Sequence, residues 1–402
     1  MTTKVCIFHP SDPVGTIPGG IDTFIRGILR WAPDDISVSL VGVTTDPAAR
    51  PPGKWTECDL GRRRFNFYPV ITLSDPGGRT RIPLTVRYST ALAFKKFDKD
   101  FDVLEFHRIE PSLFFYTSDR PKSIFVHSNM EILYNKKSDI LWRRFPWLFF
   151  KMEDWLLPRI QSVFSVREDA VEAYQKRFPL IADRFHFVPT WVDPDVFYPI
   201  SENNRAKLKA RLGKIYKFES HNDLLVSVGR LDLVKNPILL LDAFARVAKV
   251  APDTRLVVVG DGVLRKKIVA HIEKLNLHDR VILVGLRSAA EIADLLRVSS
   301  VFVLSSAYEG MPMCVLEALG CGLPTAVTDV GELRRIIKPG INGEIAKEHS
   351  PDSLASAILS CINHRDRYGG KPCLDVALRY TPSIVLEPVY RNYRRLAGLC
   401  RK

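Results

Sequence analysis

What this chain of 402 residues lacks narrows its class first. Its seven cysteines include no C-x-x-C pair, so they supply neither a disulfide framework nor a zinc site, and they fit a reduced, cytosolic compartment. No window approaches the uninterrupted apolar length that crosses a bilayer. The opening MTTKVCIFHPSD runs straight into a strand, with no charged leader region or cleavage site. Internal repeats and low-complexity tracts are missing. There is no D-x-D at the end of a strand, so nothing calls for a metal or other cofactor. What is present is globular in kind: 46% hydrophobic and 26% charged residues, in a length that exceeds one core and suits two domains. The net charge is +13 and uneven. Residues 1–195 carry 27 Lys/Arg against 24 Asp/Glu, and the remainder 31 against 21. The basic excess of the second half suits an anionic ligand. No nucleic-acid motif accompanies it, so nucleic acid is not an expected partner.

Short apolar runs alternate with helical periodicity twice along the chain. KVCIFHP, ISVSLVGVTT, DVLEFH and SIFVHS read as strands of a first series, LLVSVGR, RLVVVGDG, RVILVG, VFVLSS and PTAVTD as strands of a second. Alternation of this kind implies parallel, doubly wound sheets, and two series imply two Rossmann-like domains with a cleft between them. The expected limits are 1–198 and 199–380, with a final helical segment at 381–402. Residues 46–85, rich in Pro, Gly and Arg, read as long irregular loops. Residues 139–160 read as one aromatic and basic helix interrupted at Pro146, with Trp142, Arg143, Arg144, Trp147, Lys151 and Trp155. Such a segment suits peripheral contact with an anionic membrane, or burial against the first sheet.

Ligands of doubly wound sheets bind beyond the C-terminal ends of strands, and the chemistry-bearing motifs fall there. In YEGMPMCVLEALGCGLP, 308–324, two carboxylates, Glu309 and Glu317, flank a turn of Gly310, Met311 and Pro312 that leads into a helix near Met313. A helix start offers free N–H groups and partial positive charge to an anion. At ~3.6 residues per turn, Glu317 is expected about two turns along, on the face that began at Glu309. A nucleotide-sugar spans such a site with sugar at Glu309, diphosphate at the helix start and ribose at Glu317. VGRLDLVKN, 228–236, puts Gly229 and Arg230 just past a strand and Lys235 before the next helix, a clamp for a diphosphate. GDGVLRKK brings Gly260 and Gly262 to a turn that can approach a nucleotide. TIPGGIDTF sets Gly19 and Gly20 before the first helix. His107 and His127 each end a strand of the first series.

These motifs, most specifically from 225 to 345, resemble the retaining glycosyltransferases of family four (group 1), and the resemblance extends over nearly the whole chain. It implies the GT-B fold: an acceptor-binding domain, a nucleotide-sugar-binding domain and a last helix that packs back on the first. It further implies a hexosyltransferase-type enzyme that moves sugar from a nucleoside-diphosphate sugar to an acceptor hydroxyl with retention; the basic and aromatic surface of the first half points to bacterial polysaccharide or glycolipid assembly, at the cytoplasmic side of the membrane. The acceptor would be a carbohydrate or lipid-linked glycan. By the same resemblance His127, Arg230, Lys235 and Glu309 are catalytic. Gly20, Gly229, Gly262, Gly310, Met311, Pro312, Met313 and Glu317 bind the donor. Two departures stand out. Ser128 and Asn129, with Glu131 later, follow His127 where the family has an acidic residue. Thr190 and Trp191 replace an Asn-Gly before Val192 and Asp193. Two rivals share the fold: a sugar-nucleotide epimerase and a non-catalytic nucleotide-binding partner of an assembly complex.

Overall fold

The computed structural model describes residues 2–15, 20–61, 63–74, 82–95, 97, 99–127 and 145–400. Gly19, Ser128, Asn129, Glu131, Trp142, Arg143 and Arg144 lie outside them. Two compact units emerge, one of Met1–Pro189 with Pro382–Lys402, the other of Thr190–Thr381. The first thus ends nine residues earlier than 198. Val192 N–H donates to Tyr380 O at 2.9 Å, and Thr190 Oγ–H to Met311 O at 3.0 Å, which ties 190–198 into the second unit.

The second unit is a six-stranded parallel sheet of β9 (Asp223–Val228), β10 (Thr254–Val259), β11 (Val281–Gly285), β12 (Val301–Leu304), β13 (Thr325–Thr328) and β14 (Gly343–Ala346). Their order is β11-β10-β9-β12-β13-β14. Strands such as LVVV of β10 and VFVL of β12 are apolar without alternation because helices cover both faces. Helices Pro237–Val250 and Pro351–Asn363 press Leu240, Phe244, Leu354 and Ile358 into one face. Ala289–Val298 and Met313–Gly320 press Leu295, Leu296, Val315 and Leu319 into the other. Chain order reverses at β9, so its junction with β12 is the switch point where such sheets leave a crevice.

The first unit holds an eight-stranded sheet in the order β3-β4-β2-β1-β5-β6-β7-β8, parallel except for one pair. The strands are β1 (Thr3–Phe8), β2 (Ile36–Thr44), β3 (Thr56–Asp59), β4 (Arg64–Thr72), β5 (Val103–Phe106), β6 (Lys122–Val126), β7 (Ser162–Ser165) and β8 (Phe185–Phe187). Its switch point lies between β1 and β5. Residues 46–85 are not all loop, as the sequence suggested. RFNFYPVIT forms β4 and pairs antiparallel with β3, because Phe65, Phe67 and Val70 reach the core from within a Pro- and Arg-rich surround. Pro146 opens the helix Pro146–Leu156 at its first turn, where its missing N–H costs nothing; residues 139–144 of the expected segment lie outside the described residues. The C-terminal helix Glu387–Cys400 returns to the first unit against β1 and β5. Tyr390 donates to Ile28 O at 3.0 Å, and Ser162 Oγ–H to Asn392 Oδ1 at 2.7 Å.

Candidate active site

At the switch point of the second sheet, β9 runs into Gly229–Asn236 and β12 into Ser305–Pro312. Hydrogen bonds lock the two loops together. Ala307 N–H donates to Val234 O at 2.7 Å, and Ser305 Oγ–H donates to Lys235 O at 2.9 Å. From the other side, Thr328 Oγ–H reaches Ser306 O at 2.7 Å and Glu332 N–H reaches Gly310 O at 3.0 Å. Gly331, at φ +55°, lies so close that a Cβ there would meet Gly310 O at 2.0 Å.

The loops bring Lys235 Nζ to 2.5 Å from Glu309 Oε1, and Ser306 Oγ–H donates to the same oxygen at 2.6 Å. Burial works against charge on Lys235, but Glu309, helped by Cys314 and Asp232, outweighs it and holds the ammonium above its ordinary range. The site therefore keeps a fixed cation. Beside it the helix Met313–Gly320 starts at Pro312 with no side-chain cap, so its first N–H groups remain open to an anion. Burial pushes the Cys314 thiol up to about 12, which removes it as a thiolate nucleophile. A small cavity here is lined by Gly229, Arg230, Lys235, Ser305 and Ser306.

The expected residues do not all converge. Glu309 sits in the loop, so Glu317 lies about one turn into the helix rather than two, and the pair shares no helical face. Glu317 is half-buried. Burial, then the charge of Asp193, raises its carboxyl to about 7. Arg230 turns outward at 71% exposure and pairs with Asp232 at 3.2 Å instead of meeting Lys235. Gly262 supports the loop from behind, since a Cβ there would meet Leu231 O at 2.6 Å. Gly310 and Met311 shape the turn, with Met311 buried.

His127 and Gly20 belong to the first unit. Gly20 begins the helix Gly20–Arg30, and among the described residues no atom lies within 4 Å of where a Cβ would point. His127 follows β6, and its Nε2 lies 2.9 Å from His107 Nδ1. Burial lowers its pKa, with His107 and Arg108 adding to the effect, so the ring is neutral. Sequence reasoning missed Ser305 and Ser306 as the pins of the loop. It also missed Glu105, although a lone acid inside the apolar strand VLEF was a visible signal.

Two doubly wound units in one chain define the GT-B class of fold. The model for glycosyl transferases group 1 matches residues 210–369 and that for glycosyltransferase family 4 matches residues 18–196. The chain belongs to this glycosyltransferase family. It is 29% identical over 192 residues to the mannosylfructose-phosphate synthase of Agrobacterium fabrum, covering 46% of this chain and 41% of that protein. It is 32% identical over 175 residues to the Escherichia coli UDP-Gal:alpha-D-GlcNAc-diphosphoundecaprenol alpha-1,3-galactosyltransferase, covering 43% of each. The chain thus spans less than half the length of these two relatives. Among solved structures, sucrose-phosphate synthase from Thermosynechococcus elongatus superposes with a TM-score of 0.79 at 19% identity, over 99% of this chain and 100% of that one, a likeness of fold.

Proposed function

We propose that the protein is a retaining glycosyltransferase that moves a hexose from a nucleoside-diphosphate donor to an acceptor hydroxyl. One observation carries this reading: a lysine kept cationic by Glu309, next to an uncapped helix start, at the switch point of a doubly wound sheet. In the reaction the bond from the anomeric carbon to the diphosphate oxygen breaks. A bond from the same carbon to the acceptor oxygen forms on the same face, and the acceptor proton passes to the departing diphosphate. Lys235 and the N–H groups at Met313 and Cys314 stabilise the charge that develops on the leaving group. Arg230 swings from Asp232 onto the diphosphate. Glu309, with the backbone of Gly310 to Met313, holds sugar hydroxyls, and Glu317 accepts from the ribose. Gly229 lets the loop approach the phosphates, and His127 takes a sugar hydroxyl.

For the acceptor we propose a lipid-linked glycan of bacterial envelope assembly, at the inner face of the membrane. The first unit supports it with an exposed surface of Trp147, Leu148, Trp155 and Tyr116. Lys151 lies over the Trp147 ring at 5.5 Å and Arg159 over Trp155 at 4.6 Å. Aromatic rings with cations at their edges suit anionic lipid headgroups. Among the described residues no helix is long and apolar enough to cross a membrane.

The test is a thermal-shift panel of UDP, GDP, ADP and dTDP with their sugars, on the parent and Glu317→Ala, followed by product analysis with and without acceptor. A ligand at a hundredfold excess over its dissociation constant raises stability by ~2.7 kcal/mol. A shift with one nucleotide, lost in the variant, supports the donor site. No shift with any donor removes the reading, and donor turnover without acceptor replaces it with an epimerase.

A further inference from the structure

The switch point of the first sheet holds a second set of polar side chains, and these are buried. Glu105 from β5 and His107 just after it are both 0% exposed. Glu105 Oε2 accepts from Ser123 Oγ–H at 2.9 Å, and Oε1 lies 3.1 Å from His107 Nε2. His107 Nδ1 lies 2.9 Å from His127 Nε2. The rings of His107 and Phe125 stack at 4.9 Å and 3°, which holds the imidazole plane.

With a single proton on each imidazole ring, the chain of contacts to a Glu105 carboxylate admits one consistent arrangement of hydrogen bonds. A carboxylate has only acceptor atoms, so His107 carries its proton on Nε2 and donates to Glu105. Its Nδ1 is then a lone pair. His127 must donate to that lone pair through Nε2–H, which leaves His127 Nδ1 bare. The reverse order would set the His107 Nε2 lone pair against the Glu105 oxygen at 3.1 Å. Around the array stand His9, whose ring centroid is 5.9 Å from that of His107, with Arg108, Asp22 and Tyr393. Burial first, then His107, Arg108 and His127, pushes the His9 pKa down, and His127 is likewise kept neutral. Among the described residues, no hydrogen bond reaches His127 Nδ1, in contrast to Nε2.

We propose that Glu105 and His107 are positioning residues that fix the tautomer of His127, so that its Nδ1 is a standing hydrogen-bond acceptor for a sugar hydroxyl. The consequence is a choice of ligand group. A bare, neutral Nδ1 accepts a hydrogen bond from a hydroxyl and offers nothing to a phosphate oxygen, which needs a donor. The anionic part of the substrate is left to the second unit. This inference rests on the transferase reading for the identity of the hydroxyl, while the proton arrangement rests on the contact geometry together with a singly protonated His107.

The decisive measurement is long-range 1H–15N correlation of the histidine side chains in the full chain, read for His127 in the parent and in Glu105→Gln. In the parent, His127 Nδ1 should show the shift of an unprotonated nitrogen and stay there through neutral pH. In Glu105→Gln the amide can donate to His107 Nε2, which reverses the array, so His127 Nδ1 should gain a proton. The transfer rate should then fall tenfold or more, with nucleotide affinity unchanged. A protonated Nδ1 in the parent overturns the proposal without any variant. So does a Glu105→Gln protein that keeps both the parental tautomer and the parental rate. If the parent shows the bare Nδ1 but turns over no donor, the transferase reading fails and the tautomer lock survives. If it turns over donor with a protonated Nδ1, the reverse holds.

Discussion

The two sheets solve the same architectural problem with opposite electrostatics. Each reverses its strand order once, β1 against β5 in the first and β9 against β12 in the second, and each gathers its polar side chains at that reversal. In the second unit the group at the reversal is a lysine held charged against the cost of burial. In the first unit the groups are imidazoles kept neutral by burial and by each other. A fixed cation suits a phosphate whose charge grows during reaction. A neutral imidazole suits hydroxyls, which carry no charge to meet. The two sheets thus differ in the charge of the groups each places at its reversal.

That division can be broken most severely at Lys235. Lys235→Ala should lower transfer by about 10²–10³-fold, in line with the loss of one preorganised donor to a developing anion, and should weaken nucleotide binding, both measured by product formation and calorimetry. His127→Ala should lower turnover by about 10–100-fold, the loss of one hydrogen bond to a sugar hydroxyl, and leave nucleotide affinity as it was. Equal losses of affinity in both variants would erase the distinction between the two reversals.

Gly331→Ala asks whether the charged loop depends on its support. A Cβ pressed to 2.0 Å from Gly310 O at a positive φ should cost about 2 kcal/mol or more and lower the melting temperature, with donor affinity falling alongside.

Glu317 sharpens the comparison through pH. Its folded, unliganded carboxyl titrates at about 7 against an ordinary 4.5, so the folded state holds an extra proton between those values. Stability contributed by this group is therefore greatest at low pH and lost as pH rises from about 4.5 to 7, by up to about 3 kcal/mol. The ionised carboxylate accepts from ribose hydroxyls through both oxygens and more strongly than the acid, so nucleotide affinity should rise with pH up to about 7 and binding should release a proton. Calorimetry in buffers of different ionisation heat would detect that release, and Glu317→Gln should abolish it. The smallest expected effect lies on the first unit's surface. Trp147→Ala with Lys151→Ala should reduce flotation with anionic vesicles several-fold at low salt, with soluble-acceptor transfer untouched. Parental flotation in that double variant would remove the membrane contact.

Much of the second unit was legible in the sequence because its signals are local. Apolar strands end in Gly229-Arg230 and Tyr308-Glu309-Gly310, and strand-turn-helix order alone places Lys235 and Met313. The partnership of Lys235 with Glu309 spans 74 residues and depends on β9 lying beside β12, which no local spacing reveals. The outward turn of Arg230 is equally invisible, since Asp232 competes for it from two positions away. In the first unit, β4 was hidden because Pro and Arg dominate 46–85, although the alternation Phe65, Phe67 within it marks a buried face. The Glu105 array escaped for a related reason. A strand's periodicity shows which face a residue takes, not which neighbour it meets across β6.

The return of Glu387–Cys400 to the first unit makes the second unit an insertion, entered after Pro189 and left at Thr381. On the ribosome, residues 190–381 form a continuous stretch whose sheet can close as soon as it is made. The first unit, begun earlier, must wait for the last helix to seat Tyr390 on Ile28 and Asn392 on Ser162. Order of synthesis and order of completion are therefore reversed. A chain stopped at residue 381 would carry a finished second unit and an unfinished first one, with the histidine array lacking the helix that covers it.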